Sequence, residues 1–353
     1  MLKYKPWSEE VLEKGFDSYR NGSLSILDIE LSGTCNFNCV YCDSPDHSKR
    51  CTISINDIAR LFSEGSFEWV FICGLGEPTA GSNYKLLIRI LTLCQKYDVK
   101  CSIFSNVLNL TSELLQYVDE GILYVLFKFD SSSFKLNSNL YGTSNNKART
   151  QYKNIKELAR HVKVEGLLTN IGASIVPTKL NVKEIPHIIE YCLENNIYPL
   201  IGDLENSGRG QDLFAALSLS EDELIELKEN VESLLGSEYR IPICPAVVSG
   251  IHISHDSRIV VDQISGLTCP WFWLEEPRLQ TIMEFSKDTH MDEIIDKIIS
   301  YRNCKLKELK SIANQYTCSN TRMFGGCGGD IQELLNKYIE IQTERFYHET
   351  NIS

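Results

Sequence analysis

Apolar runs and amphipathic segments alternate along the chain from about residue 25 to residue 206. Six of the runs are mostly continuous in apolar residues, which is typical of parallel strands covered on both faces. The predicted strands are LSILDIEL, WVFICGLG, KCSIFSNVL, ILYVLFKFDS, LLTNIGASIV and YPLIGDLEN. The segments between them have helical spacing: SINDIARLFSEG, YKLLIRILTLCQKYD, TSELLQYVDEG, QYKNIKELARHVK and VKEIPHIIEYCLENN. This α/β series predicts an incomplete β/α barrel or an open doubly wound sheet, and periodicity does not choose between them.

Local signals set the expected boundaries. Ser54, Thr111 and Asn181 are predicted to be helix N-caps, and NSGRGQ at 206–211 is predicted to be a loop. The helix SEDELIELKENVESLLG follows, and from about residue 240 Cys, Gly and short strands replace the alternation. We expect four parts: an N-terminal segment (1–24), the barrel or sheet (25–215), a linker helix (216–240) and a small Cys-rich α+β domain (241–353).

Composition excludes several classes of protein. The 353 residues are 43% hydrophobic, enough for a real core, and no run approaches the length of a membrane span. A net charge of −12 argues against a general nucleic-acid binder, because phosphate contacts need a basic face. The start, MLKYKPWSEEVLEKGF, carries charges where a signal peptide needs an apolar core. Thirteen Cys is an odd count, so we expect a reducing, cytoplasmic location rather than a disulfide framework.

Three of the cysteines form a compact motif directly after the first predicted strand. Cys35, Cys39 and Cys42 have the spacing C-x3-C-x2-C. Three thiolates can hold three irons of a cubane [4Fe–4S] cluster and leave the fourth iron without a protein ligand. A zinc site is the alternative, but it usually takes four ligands in two paired groups. The spacing therefore favours a cluster with one open iron.

Polar and glycine residues follow the next strands, at the edge where the functional residues of such sheets lie. Gly74 and Gly76 let the backbone approach a ligand closely, and the carboxylate of Glu77 can accept bonds from an ammonium group. The third strand ends in Ser105-Asn106, for which a plain turn is the alternative. The fourth ends in Lys128 and Asp130, which form either a salt bridge at the rim or part of a site.

Together these motifs resemble those of the radical S-adenosylmethionine (SAM) superfamily. The resemblance implies a partial (β/α)6 TIM-like barrel with SAM chelated on the open iron. A reduced cluster then donates one electron to SAM, giving methionine and a 5′-deoxyadenosyl radical that abstracts a hydrogen from the substrate. The implied cofactors are therefore SAM and a [4Fe–4S] cluster held by Cys35, Cys39 and Cys42.

The resemblance also assigns site residues. Gly74–Pro78 is similar to the GGEP motif that binds the SAM amino group, with Leu75 in place of a Gly. Ser105-Asn106 is similar to a motif near the SAM carboxylate and ribose, with Val107 in place of Gly. Lys128 and Asp130 are the expected catalytic residues, contacting SAM or substrate. The expected SAM-binding residues are Tyr41, Gly74, Gly76, Glu77, Ser105, Asn106, Ser174 and Glu205.

A second group of cysteines lies near the C-terminus. Cys244 and Cys269 flank GIHISHDSRIVVDQISG, which is predicted to be a β-hairpin turning at 255–257. This order of Cys, hairpin and Cys, followed by a Gly-flanked Cys pair, resembles the SPASM and twitch extensions of radical SAM enzymes, which hold auxiliary clusters. The expected ligands of one auxiliary [4Fe–4S] cluster are Cys244, Cys269, Cys318 and Cys327, with Cys304 as the spare. A structural zinc site of four Cys is the alternative.

The substrate is less determined than the reaction class. By resemblance it is a ribosomal peptide or protein side chain, or a small natural-product precursor, and the electron donor is a flavodoxin or ferredoxin. About two dozen residues precede the first predicted strand, too few for a fused winged-helix leader-binding domain. A non-catalytic iron–sulfur carrier or scaffold is the other class to consider, but such a protein needs neither the Gly74–Pro78 motif nor a long barrel.

Overall fold

The computed structural model of the chain describes residues 1–240, 243–263, 266–268, 279–312, 334, 336–338 and 340–341. Within these residues the strands are β1 (Lys3–Tyr4), β2 (Ile26–Ile29), β3 (Trp69–Ile72), β4 (Lys100–Ser105), β5 (Leu123–Lys128), β6 (Val164–Glu165), β7 (Leu168–Thr169), β8 (Ile171–Ile175), β9 (Tyr198–Ile201), β10 (Gly250–Ile253), β11 (Arg258–Asp262) and β12 (Leu279–Glu284). The α-helices are α1 (Glu9–Arg20), α2 (Ile55–Glu64), α3 (Gly81–Tyr97), α4 (Ser112–Asp119), α5 (Phe134–Leu140), α6 (Asn145–Leu158), α7 (Ile185–Glu194), α8 (Gly208–Leu217), α9 (Glu221–Leu235), α10 (Pro245–Ser249) and α11 (Met291–Ile312).

One large sheet carries the fold, in the order β12-β11-β10-β2-β3-β4-β5-β8-β9. The six strands from β2 to β9 in this order are parallel and correspond to the six predicted runs, which are confirmed. Helices α2, α3, α4, α6 and α7 lie between them in the chain, as predicted. Among the described residues β9 and β12 are the edges, so the sheet stays open, as a partial barrel requires.

The predicted hairpin is also present and lies beside the first strand of the barrel. β10 and β11 are antiparallel, and the turn between them contains Ser257 at a φ of 61°. β10 pairs in parallel with β2, so the chain after residue 240 extends the barrel sheet on its β2 side. The boundaries drawn at 24, 215 and 240 remain predictions.

Two of the three predicted N-caps are confirmed. The side-chain oxygens of Ser54 and Thr111 accept bonds from backbone N–H groups in the first turns of α2 and α4. Asn181 does stand at the N-cap position of a short 3-10 helix, Val182–Glu184, but its side chain accepts no bond from the first turn of that helix. Its Oδ1 accepts from the backbone N of Thr178 at 2.7 Å, and its Nδ2 donates to the backbone O of Asp130 at 2.9 Å.

The N-terminal segment packs against the barrel at β4. Tyr4 and Trp7 are almost fully buried. The Tyr4 hydroxyl and the Ser102 hydroxyl are 3.0 Å apart, and the Trp7 ring packs 5.9 Å from the ring of Phe104. Burying these aromatic side chains is strongly favourable. No helix among the described residues combines the length and the apolar character that crossing a bilayer would require.

Candidate active site

A cavity of about 260 Å³ lies at the carboxyl ends of the parallel strands. It lies where the polar residues of successive strands meet, which is the expected edge of such a sheet. Every barrel residue assigned to cluster or SAM contacts lines it, as does Lys128, whereas Asp130 does not. Its lining residues are Cys35, Phe37, Cys39, Tyr41, Cys42, Asp43, Gly74, Gly76, Glu77, Phe104, Ser105, Asn106, Leu126, Lys128, Ser174, Val176, Asp203 and Glu205.

The loop that carries Cys35, Cys39 and Cys42 is anchored to the connection between α5 and α6. Within the loop the Phe37 ring stacks on Tyr141, with the ring centres 5.3 Å apart. Burial raises the pKa of Cys35 to about 11 and that of Cys39 to about 12, so both thiols are neutral at pH 7 without a metal. Three thiols on one wall of one cavity fit a cluster, since a cubane takes one thiolate per iron.

Helix α8 holds the same loop from the other side. The backbone N of Arg209 donates to the carbonyl O of Cys42 at 2.9 Å, and its guanidinium donates to the carbonyl O of Cys39 at 3.0 Å. Gly208 has a φ of +53°, and a Cβ there would lie 2.4 Å from the carbonyl oxygens of Cys42 and Asp43. The loop predicted at 206–211 is therefore wrong from residue 208 onward, because its glycines serve close packing at a helix start.

The Gly74–Pro78 segment turns sharply against the start of the Cys loop. Gly76 has a φ of +70°, and a Cβ at this position would lie 2.1 Å from the carbonyl O of Ser32. No other residue type fits there without moving the backbone. Leu75, which departs from the family motif, is buried, so the side chain at this position packs away from solvent.

The Glu77 carboxylate is buried and connects the segments that follow two strands, β3 and β4. Its Oε1 accepts from Thr79 N (2.9 Å), Thr79 Oγ1 (2.7 Å) and Ser105 Oγ (2.6 Å), and its Oε2 accepts from Asn106 N at 2.6 Å. Burial raises the pKa of Glu77, although these hydrogen bonds act in the opposite direction. Oε2 has one donor and can accept a second, because each carboxylate oxygen has two lone pairs.

The Ser105-Asn106 segment connects the end of β4 to the loop that carries the cysteines. Asn106 Nδ2 donates to Asn36 Oδ1 at 2.6 Å, linking the end of β4 to the Cys loop. Val107 has a φ of 49°, a left-handed conformation that is rare for a β-branched residue. A glycine, which the family motif has at this position, would adopt this conformation without strain. Val107 in its place is therefore a strained residue in this chain.

Three side chains contact one another at the end of β5: Lys128, Tyr41 and Asp130. The Lys128 ammonium lies 4.5 Å from the centre of the Tyr41 ring and 3.8 Å from Asp130 Oδ2. Burial lowers the pKa of Lys128. The negative charge of Asp130 and, to a smaller extent, Cys39 and Cys42 raise this pKa by more than burial lowers it, so the side chain is charged at pH 7. Asp130 is fully buried and accepts from the Tyr41 hydroxyl and, at 2.7 Å, from the backbone N of Val176.

Further carboxylates line the cavity near the end of β9. Glu205, expected from the sequence, is joined by Asp43 and Asp203, which the sequence reasoning did not select as site residues. Burial raises the pKa of Asp43. Asp43 directly follows Cys42 in the sequence, and this position could have identified it as a residue of the site. Ser174 faces the same cavity and is paired in register with Lys128 across β5 and β8.

A second buried polar group lies at the seam between β2 and β10. His252 Nδ1 is 2.6 Å from Asp28 Oδ2, and its Nε2 is 3.6 Å from Glu30 Oε1. His255 Nδ1 is 3.0 Å from Glu30 Oε2. Burial lowers the pKa of His252, but Asp28 and Glu30 outweigh burial and raise it to about 10; despite burial, the two histidines lower the pKa of Glu30 to about 2.

The proposed auxiliary ligands lie mostly beyond what the structure describes. Cys244 is buried at the N-terminus of α10, and the spare Cys304 is exposed on α11. Cys269, Cys318 and Cys327 lie outside the described residues. In the ranges that the structure covers, no three His, Cys, Asp or Glu side chains converge as the ligands of a single metal ion would.

Comparison with known proteins agrees with this geometry. The family model of the radical SAM superfamily matches residues 29–192, which contain the Cys loop, Glu77 and Lys128. Over these residues, which are a little less than half of its length, the chain is similar to the radical SAM superfamily. It is 25% identical over 204 residues to the tungsten-containing aldehyde ferredoxin oxidoreductase cofactor-modifying protein of Pyrococcus furiosus. That match spans 52% of this chain and about half, 54%, of the relative.

Solved structures share the fold at low sequence identity. SuiB of Streptococcus suis, bound to SAM, has a TM-score of 0.57 and 18% identity over 87% of this chain and 73% of SuiB. The enzyme anSMEcpe, bound to SAM and the Kp18Cys peptide, has a TM-score of 0.52 and 14% identity over 93% of this chain and all of anSMEcpe. The partial barrel predicted from the motifs is therefore the fold of the chain.

Proposed function

We propose that the protein reductively cleaves SAM to a 5′-deoxyadenosyl radical and abstracts a hydrogen from a substrate. One observation carries the proposal: the three cysteines of a single loop, the Gly74–Pro78 turn and Lys128 meet at one cavity. A carrier of electrons would need only the cysteines. A cavity with cationic and hydrogen-bonding walls beside them supports a bound small molecule at the centre.

Cys35, Cys39 and Cys42 would hold the [4Fe–4S] cluster. When bound, that group supplies a low-potential electron and an iron open to a ligand. The chain's own contribution is to fix the loop: Arg209 binds its carbonyls, and the backbone N of Asn38 donates to the Tyr141 carbonyl at 2.9 Å. A loop held from both sides keeps the thiols in place while the cofactor is assembled.

The SAM amino group would bind at Glu77 and the backbone of Gly74 and Gly76. The free lone pair of Glu77 Oε2 and the close-approach glycines support this assignment. Ser105 and Asn106 would then act partly through Glu77, because both donate to its carboxylate. A carboxylate already supplied with donors is preorganised and needs little rearrangement when an ammonium group arrives.

Lys128 would bind the SAM carboxylate or the substrate. Its charge and its place on the cavity wall support a contact with an anionic group. Tyr41 would pack near the adenine, and Ser174 and Glu205 would contact ribose or adenine. Asp130, expected from the sequence to be catalytic, is better assigned as a positioning residue, since it lies beneath the wall and binds Tyr41.

For the substrate we propose a peptide or protein side chain, with a small natural-product precursor as the second candidate. The peptide bound in anSMEcpe favours the first, since that structure matches almost the whole of this chain. An auxiliary [4Fe–4S] cluster at Cys244, Cys269, Cys318 and Cys327, in a SPASM- or twitch-like region, would accept an electron or shape the pocket. A flavodoxin or ferredoxin of the cytoplasm would supply the reducing electron.

Anaerobic reconstitution with iron and sulfide, followed by dithionite and SAM, tests the proposal. The expected result is 5′-deoxyadenosine and methionine in equal amounts, formed without any added substrate. An Asn21→Ala variant, at the exposed end of α1, is prepared and reconstituted in the same way and serves as the control for activity lost during preparation. A protein that takes up and releases electrons yet leaves SAM intact would support the electron-carrier alternative and overturn the enzyme proposal.

A further inference from the structure

A basic segment interrupts this acidic chain. Residues 132–163 contain seven Lys or Arg side chains and a single acidic one, Glu157, a net charge of +6 where the whole chain carries −12. The basic residues are Lys135, Lys147, Arg149, Lys153, Lys156, Arg160 and Lys163. A charge concentration of the opposite sign to the rest of the molecule creates a local field that selects its binding partners.

Helix α6 arranges part of this charge as a stripe. Arg149, Lys153, Lys156 and Arg160 follow one another at spacings of four, three and four residues, which puts them on one face of the helix and its short continuation. All four are exposed, whereas Ile155 on the other side is buried. Among the described residues neither Arg149 nor Lys153 has a carboxylate partner. The guanidinium of Arg149 instead lies 5.3 Å from the Phe134 ring centre.

The stripe begins where α6 meets the cysteine loop. The Lys147 ammonium, in the first turn of α6, donates to the backbone O of Asn36 at 3.1 Å. The backbone N of Val40 donates to the Leu140 carbonyl at 2.9 Å, at the end of α5, the helix that precedes α6. Asn38, between two of the cysteines, is exposed beside this contact. A partner on the N-terminal half of α6 would therefore lie next to the loop that holds the cluster.

We propose that the Arg149–Arg160 stripe docks an acidic one-electron carrier protein of the flavodoxin or ferredoxin class. The proposal rests on the proposed function, because it gives the Cys35–Cys42 loop an electron to receive. One electron passes from the reduced carrier to the oxidised cluster, so the carrier is oxidised by one electron and the cluster is reduced by one. No bond forms or breaks.

Charge elsewhere on the molecule favours this one orientation. The exposed face of α9 carries Glu221, Asp222, Glu226 and Glu229 and would repel the same partner. Complementary patches of this kind act mainly on the association rate, which they raise by roughly 10- to 1,000-fold at low salt. An acidic carrier approaching this chain is thus directed to the side of α6 and away from α9.

The test compares two reductants on the reconstituted protein. A double variant, R149E/K153E, reverses two charges of the stripe and leaves Lys147 and the cavity intact. The matched control, R89E/K96E, makes the same change in charge at exposed positions of α3. Stopped-flow absorbance follows reduction of the cluster by a fully reduced flavodoxin and, separately, by dithionite, each at low and at high salt.

We expect R149E/K153E to slow reduction by the flavodoxin about tenfold or more at low salt, with the difference shrinking at high salt as screening increases. In the control variant and in R149K/K153R, which keeps the charge, the flavodoxin should reduce the cluster at the wild-type rate. Dithionite should reduce all four proteins equally and give equal 5′-deoxyadenosine, which also verifies that the variants are folded.

Equal flavodoxin rates in wild type and R149E/K153E, with dithionite-driven SAM cleavage intact, would overturn the docking surface and leave the proposed function standing. An equal loss in R89E/K96E would also overturn it, since the effect would then be one of net charge. If a single-stranded RNA binds the stripe and flavodoxin rates are unchanged, the stripe serves another partner. A wild-type protein without a reducible cluster overturns both proposals.

Discussion

The Lys128 ammonium lies over the face of the Tyr41 ring, 4.5 Å from its centre. The same ring carries the hydroxyl that donates to Asp130, so one tyrosine links the cavity wall to a buried carboxylate. Cation–π contact and the nearby carboxylate both stabilise the charged lysine, although its side chain is largely removed from water. The cavity therefore presents a fixed positive charge beside the cysteine loop.

Replacing Lys128 with Met should weaken SAM binding about ten- to hundredfold, because one charge-assisted hydrogen bond contributes on the order of 1.5–3 kcal/mol. Equilibrium titration of SAM into the reconstituted protein measures this. Tyr41→Phe is the matched control: it retains the ring under the ammonium and removes only the bond to Asp130. An unchanged SAM affinity in Lys128→Met would reassign the lysine to the substrate.

Glu77→Gln should lower both SAM affinity and stability. The amide group can accept on one side only, so at least one donor among Thr79, Ser105 and Asn106 would face an NH2 group. Leaving a buried donor unsatisfied costs about 1–3 kcal/mol. Thr79→Val removes one of the same bonds without changing the charge and should leave SAM affinity nearly intact. Equal losses of affinity in both variants would show that the role of Glu77 is structural only.

Changing Cys35, Cys39 and Cys42 together to Ala should abolish SAM cleavage without unfolding the barrel. Iron analysis of the reconstituted wild type should give about eight irons per chain, two cubanes, and about four in the triple variant. Continued formation of 5′-deoxyadenosine by the variant contradicts the cluster assignment. Zinc in the purified wild type, together with one cubane, would contradict the auxiliary cluster.

His252→Asn should destabilise the fold by about 3–5 kcal/mol near pH 6, because it removes the cation that Asp28 and Glu30 share and leaves Glu30 with His255 alone. The pKa of His252 is raised from 6.5 to about 10, so its stabilising effect is complete below pH 6.5 and is lost as the pH rises toward 10. Urea unfolding at pH 6, 8 and 9.5 should show the gap between wild type and variant closing. A gap that stays constant with pH would mean that the imidazole is not the group that titrates.

Glu30 predicts the opposite behaviour in acid. Its pKa is lowered from 4.5 to about 2, so its contribution is present above pH 4.5 and is lost as the pH falls toward 2. Glu30→Gln should therefore flatten the acid side of the stability profile. His187→Gln, at a strongly exposed histidine, is the control and should leave the profile unchanged. A wild-type stability independent of pH in this range would contradict the assignment.

Much of the site could be predicted because the relevant residues follow strands. Continuous apolar runs locate parallel strands, and parallel strands bring their carboxyl ends to one edge, so Cys35, Glu77 and Lys128 had to converge. The buried polar group between β2 and β10 could not be predicted from local sequence patterns, since the pairing of β10 with β2 joins residues more than 220 positions apart. The helix beginning at Gly208 was missed because glycine-rich sequence is typical of loops and its packing on the Cys loop is a tertiary effect.

The position of β10 limits how this chain can be shortened or recombined. A chain ending at residue 240 would keep all six barrel strands. Strand β2 would still pair with β3 but would become an edge strand, whose free side could pair with another molecule. It would also leave Asp28 and Glu30 without His252. The C-terminal region is thus inseparable from the first strand: transplanting the barrel into a chimaeric enzyme would require carrying residues 250–253 with it.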